Sequence, residues 1–98
     1  MTIEIIKNID ESIIEVIGRL DTTTAPKLES VINECSESTK NIVLDLAKLE
    51  YISSAGLRVL LSAQKKMKKI GSMKVKNVTE TVMDIFEMTG FADILVIE

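Results

Sequence analysis

The sequence predicts one α/β domain in which an opening β-hairpin is followed by parallel strands and about three packed helices. Three observations predict it. Two runs rich in β-branched residues stand at the start of the chain with a short polar turn between them. Apolar residues then recur alternately at helical spacing and in short near-continuous runs, with only short breaks between, as in strands joined by crossover helices. At 98 residues the chain has the size of one domain and leaves no room for a second core, so the domain is read as residues 1–98.

The hairpin is read as Thr2–Lys7 and Ser12–Leu20, turning at residues 8–11. After Asp21, the residues Leu28, Val31, Ile32 and Cys35 recur at spacings of three and four, which predicts an amphipathic helix. Thr24 is its expected N-cap, and Pro26 falls in the first turn, where a missing N–H costs nothing. Residues 36–40 read as a polar break. Residues 41–46 form a short apolar run of the kind buried on both faces of a parallel sheet, and are taken as the central strand. A second helix is expected from Ser53 or Ser54 to about Ile70, packing Leu57, Leu60, Leu61 and Met67 and stopping at Gly71. Residues 73–78 predict a further strand. Thr79 is expected to cap a third helix with Val82, Ile85 and Phe86 on its apolar face, ended by Thr89-Gly90, and residues 95–97 close the chain as a last short strand.

Composition excludes several classes of function. The hydrophobic content is 46% but aromatics are only 3%, so aliphatic side chains and Met must fill the core, Met67, Met73, Met83 and Met88 among them. A net charge of −3 argues against a general electrostatic hold on nucleic acid. With no His, histidine-based general base catalysis is excluded and the commonest zinc ligand is missing. Cys35 is the single cysteine, so no internal disulfide forms; it reads as a small half-buried helix residue, and a reducing cytosol fits. The N-terminal residues alternate and carry acids, and no apolar stretch has the length of a membrane span, so neither secretion nor membrane insertion is expected. Lys65, Lys66, Lys68 and Lys69 read as a solvated helix face. Asp21 and Asp45 offer two carboxylates, but their spacing does not require them to converge, and no enzyme is expected.

The chemistry sits in residues 45–57, DLAKLEYISSAGL: a buried strand, a short crossing loop and a small-residue start to a helix. Ser53, Ser54, Ala55 and Gly56 leave little bulk, so another protein can approach closely. A hydroxyl there can meet first-turn N–H groups, and the positive end of the helix supports an anion. A phosphoryl group on Ser54 is compatible with the fold, yet brings about −1.5 to −2 charges to a small neutral surface. A partner packed on it must then bury a hydrated dianion, and binding switches off without unfolding. The plainer role for Ser53 and Ser54 is helix capping, worth about 0.5–2 kcal/mol relative to Ala.

GRLD at 18–21, Thr24-Ala25, IVLDL at 42–46, YISSAGL at 51–57 and FEMTG at 86–90, in this order, resemble the anti-sigma factor antagonist family, also called the STAS domain family. The resemblance spans nearly the whole chain. It implies a mixed sheet with packed helices, and an anti-sigma factor antagonist acting in the cytoplasm by partner switching. The partner is an anti-sigma factor that is also a serine kinase; a dedicated phosphatase reverses the modification. No cofactor, metal, direct nucleic-acid contact or membrane insertion is implied. Ser54 matches the phosphorylated serine, with Ser53 the second candidate. The partner surface maps to Asp21, Thr22, Thr23, Ser53, Ser54, Ala55, Gly56 and Arg58. Asp21 matches the acidic residue near the phosphorylation site, although a turn residue leading into the first helix explains it as well. Ser53 stands where many members have Asp, and Ala55 where a second hydroxyl is common. The alternative reading is a STAS adaptor or scaffold subunit, for example in a membrane transport complex, whose Ser54 is never modified.

Overall fold

The computed structural model describes residues 2–7 and 10–98. Alternating β-branched side chains pair β1 (Thr2–Lys7) with β2 (Ser12–Leu20) antiparallel, in unbroken register from Thr2 opposite Ile17 to Lys7 opposite Ser12. Both strands have the expected bounds; of the expected turn, Asn8 and Ile9 lie outside the described residues. Helix α1 (Ala25–Ser38) then returns the chain to β3 (Asn41–Asp45), which runs parallel to residues 12–15 of β2. After β4 (Leu49–Ile52), helix α2 (Ser54–Ile70) leads to β5 (Ser72–Lys76), parallel to β3, and α3 (Glu80–Thr89) follows. The mixed sheet has the order β1-β2-β3-β5, with β4 along the far end of β2.

One face of this sheet carries the core. Ile14, Val16 and Leu20 of β2, Ile42 and Leu44 of β3, and Met73 and Val75 of β5 pack against Leu28 and Ile32 of α1, Leu60 and Met67 of α2, and Phe86 of α3. Each large aliphatic side chain fully buried in this way contributes about 1.5–3 kcal/mol. The other face carries Ile13, Glu15 and Ile17, all only half-buried. Among the described residues, no helix is long and apolar enough to cross a membrane.

Several expectations are corrected. Residues 49–52 form a strand where a crossing loop was expected: β4 runs parallel to β2, with Leu49 opposite Gly18, Tyr51 opposite Arg19 and Ile52 opposite Leu20. Between Gly18 and Arg19 the register advances one residue in β2 and two in β4, which leaves Glu50 as the extra residue of a bulge in β4, and Gly18 takes a φ of 96° that favours glycine. Helix α1 continues through the expected break to Ser38, where the hydroxyls of Ser36 and Ser38 donate to Asn33 O and Cys35 O. The central strand stops at Asp45, one residue early. Strand β5 ends at Lys76, short of Val78, because Asn77 adopts a left-handed conformation with φ 56°. The last strand shrinks to a single bridge between Val75 and Ile97, a 3-10 turn at Phe91–Asp93 having taken up the preceding residues. Cys35 is fully buried, and Met88 is 86% exposed and fills no core. Leu61 is only half-buried.

Helix α2 begins and ends as expected. Gly71 is its C-cap, and the position has no room for a side chain: a Cβ there would run into the Lys40 carbonyl oxygen.

Candidate functional site

Strands β2 and β4 end side by side, and the Ser53 N–H donates to Leu20 O at 2.8 Å. The loop opening at Asp21 and the one opening at Ser53 therefore leave the sheet together, at the carboxyl ends of parallel strands, where open α/β sheets present their binding sites.

At the first loop, Asp21 organises the start of α1. Its Oδ1 accepts from the Thr23 hydroxyl at 2.7 Å, from the N–H groups of Thr23 and Thr24 at 3.0 and 3.2 Å, and from the Thr24 hydroxyl at 3.2 Å. The Thr23 hydroxyl above all, together with these N–H groups and Thr24, holds the Asp21 carboxyl below its ordinary value against an opposing desolvation. Thr24 is not the side-chain cap expected of it. Its hydroxyl accepts from Asp21 N–H at 2.8 Å and approaches Arg19 O at 3.0 Å, while Asp21 satisfies the loop's free N–H groups. A carboxylate oxygen accepts from several donors at once, whereas the Thr24 hydroxyl oxygen is already engaged by the Asp21 N–H.

At the second loop, Ser53 is the N-cap of α2. Its Oγ accepts from Gly56 N–H at 3.3 Å, a long bond, and its carbonyl accepts from Leu57 N–H at 2.9 Å. Ser54 is the first residue of the helix and is exposed; among the described residues its hydroxyl has no hydrogen-bond partner. No acidic residue lies in the first turn of α2, and Arg58 stands exposed just beyond it, so the positive helix end is uncompensated there.

The expected partner residues fall into three groups. Thr22, Thr23, Ser54 and Arg58 are exposed, and Asp21, Ser53 and Ala55 are half-buried. Gly56 is buried and its smallness serves the interior: a Cβ would lie 2.8 Å from Leu20 Cγ and 2.9 Å from Ile52 Cγ1. Between α1 and α2 runs an open groove of about 570 Å³, lined by Thr22, Ala25, Pro26, Ala55, Arg58 and Leu61 among others. Two neighbours of the site lie within the GRLD and YISSAGL motifs but outside the expected partner surface. The Arg19 guanidinium lies over the Tyr51 ring, 4.4 Å from its centroid. Strand alternation turns both outward, opposite to Leu20 and Ile52, but that is readable only once residues 49–52 are known to be a strand. Among the described residues, no cluster of three or more His, Cys, Asp or Glu side chains is placed to hold a metal ion.

Comparison with known proteins places this arrangement. The STAS domain model matches residues 1–98. The chain is 33% identical over 95 residues to the anti-sigma-B factor antagonist of Listeria monocytogenes, covering 94% of this chain and 82% of that one. It superposes on the crystal structure of an anti-sigma factor antagonist from Mycobacterium paratuberculosis with a TM-score of 0.87 and 26% identity, over 98% of this chain and 83% of the other. The Bacillus cell fate determinant SpoIIAA, solved in its phosphorylated form, shares the fold at a TM-score of 0.77 and 15% identity, over 99% and 91% of the two chains. With the STAS domain model matching residues 1–98, the chain belongs to the STAS domain family.

Proposed function

We propose that this protein is an anti-sigma factor antagonist. It binds a kinase-type anti-sigma factor through the surface around Asp21, Thr22, Thr23, Ser53, Ser54, Ala55 and Arg58, and phosphorylation of Ser54 ends the complex. The observation that carries the reading is the division of labour between the two serines: Ser53 is engaged as a cap, while Ser54 Oγ is exposed and unengaged one residue on. The relatives named as anti-sigma factor antagonists, and a protein of the same fold with a phosphorylated form, support it.

In the modification step the Ser54 hydroxyl loses its proton and attacks the γ-phosphorus of ATP, so that an Oγ–P bond forms and ADP departs. The product is a near-dianion at a helix N-terminus with no neighbouring carboxylate in the first turn, a place the fold tolerates. A partner seated over it must strip its hydration, at a cost of several kcal/mol per ion unless cations compensate. Release of the anti-sigma factor then lets it capture its sigma factor, and hydrolysis of the phosphoserine by a serine phosphatase restores the complex. Such a partner works beside RNA polymerase, which puts this protein in the cytoplasm.

The test is incubation with a purified kinase-type anti-sigma factor from the same organism and ATP, followed by phosphopeptide mass spectrometry and binding titrations. Phosphate is expected on Ser54, with Ser54→Ala binding like the unmodified chain and Ser54→Asp at least about tenfold weaker, a change of about 1.4 kcal/mol. An active kinase that leaves Ser54 unmodified, or equal affinities for the two variants, overturns the switch.

A further inference from the structure

The two edges of the sheet are finished differently. Along β5 the last residues of the chain close the edge: Val75 N–H donates to Val96 O and Glu98 N–H to Val75 O, both at 2.8 Å, and Lys74 and Glu98 form an ion pair at 3.6 Å. At the opposite edge β1 pairs, among the described residues, with β2 alone. Its six residues, TIEIIK, include no Pro or Gly, and its register with β2 has no bulge. Pro, bulges, covering segments and charged side chains are the devices that blunt a free edge, and of these β1 carries the charges alone, Glu4 and Lys7 in its sequence. Apolar side chains stand out on both faces: Ile5, opposite the buried Ile14, is 40% exposed, and Ile6, opposite Ile13, is 56% exposed.

We infer that β1 is a self-association edge, which pairs antiparallel with β1 of a second copy of this chain about a two-fold axis perpendicular to the sheet. The choice of occupant follows from the strand's self-complementarity. Such an axis keeps every side chain on its own face, and because side chains alternate with a period of two, the register must centre on a residue. Centring on Glu4 opposes two carboxylates, which is unfavourable. Centring on Ile5 opposes it to Ile5 of the partner subunit and places Glu4 opposite Ile6 of the partner subunit. Residues 3–7 are then paired without any like charges facing. The free backbone groups of both strands are satisfied, and the sheet runs continuously through the two copies. One strand pair is small beside a standard interface of about 1,600 Å², so the dimer forms in a concentration-dependent way. None of the residues assigned to the anti-sigma surface takes part, so this inference stands apart from that reading.

Sedimentation equilibrium of the full chain between roughly 10 μM and 1 mM reads the association directly. A shift from monomer to dimer is expected over this range. Register is tested by oxidising two cysteine variants. In Ile5→Cys the substituted positions face each other with Cα atoms about 4.5–5.5 Å apart, within disulfide reach. In Glu4→Cys they are displaced along the strands to about 8 Å, beyond it. The native Cys35, 1% exposed, does not compete. Cross-linking of Ile5→Cys but not Glu4→Cys is expected. Ile6→Glu, on an exposed position, places a like charge opposite Glu4 and should weaken the dimer roughly 2- to 30-fold, whereas Ile6→Lys should leave it equal or tighter. A wild-type chain that stays monomeric to about 1 mM, or equal cross-linking of the two cysteine variants, overturns the inference.

Discussion

Helices α1 and α2 start side by side at the ends of paired strands, yet their first turns are built in opposite ways. At α1, Asp21 gathers two hydroxyls and two N–H groups within 3.2 Å, so its carboxylate is occupied by its own loop. At α2, a single hydrogen bond of 3.3 Å from Gly56 N–H to Ser53 Oγ does the capping, and the next hydroxyl, Ser54, is exposed. The difference separates a rigid support from a surface that can change its charge. Asp21 Oδ1 is committed to shaping its own loop, whereas a free hydroxyl at a helix start can be modified without dismantling the fold.

The largest effect should come from the packing beneath α2. Gly56→Val drives a branched side chain into Leu20 and Ile52 and should destabilise the domain by about 3 kcal/mol, read as a lower urea midpoint. If the chain tolerated it, the α2 start would be looser than its close approach to Leu20 implies. The contrast between the two loops is tested next. Asp21→Ala removes four acceptor contacts together and should lower the thermal midpoint more than Ser53→Ala, whose single long bond puts its cost near the lower end of about 0.5–2 kcal/mol. Equal losses would erase the distinction. Ser53→Asp, which supplies a carboxylate to an uncompensated helix end, should instead gain about 0.3–1 kcal/mol at low salt. Ser54→Ala should stay within about ±0.5 kcal/mol of wild type, as suits a surface residue with no structural bond.

Acid titration gives the smallest effect. Because the folded-state pKa of Asp21 is lowered, its contribution to stability is fully present above the ordinary carboxylate value and is lost as pH falls through the depressed one. The stability difference between wild type and Asp21→Asn should therefore persist at neutral pH and shrink only below the ordinary carboxylate range, as measured by chemical denaturation at a series of pH values.

Much of this was legible because it is local. β1, β2 and α2 announce themselves through period-two and period-three-to-four patterns, and Thr79 and Gly90 bracket α3 as their side-chain chemistry suggests: Thr79 Oγ1 accepts from Val82 N–H, and Gly90 adopts φ 82°. The start of α2 between Ser53 and Ser54 was legible for the same reason, since small residues and hydroxyls at a helix N-terminus are a local signal. β4 was missed because four residues carry no periodicity of their own. Leu49–Ile52 is a strand only because β2, some thirty residues earlier, offers it a free edge from Gly18 to Leu20. The role of Asp21 as organiser of the α1 start was one of two readings, and only the distances to Thr23 and Thr24 give it substance.

The residue pattern by itself determined most of the helices and strands and the hydroxyl-bearing start of α2, but neither β4 nor which of Ser53 and Ser54 is the cap. Those outcomes depend on side-chain periodicity and on hydrogen bonds spanning three or four residues. Tertiary structure decided what lies beside what: Asp21 next to Ser53, through the bond from Ser53 N–H to Leu20 O; Gly56 turned inward against Leu20 and Ile52; a closed edge at β5 and an open one at β1. These depend on contacts between residues far apart in the chain, whose register is set when the sheet assembles and which no local pattern encodes.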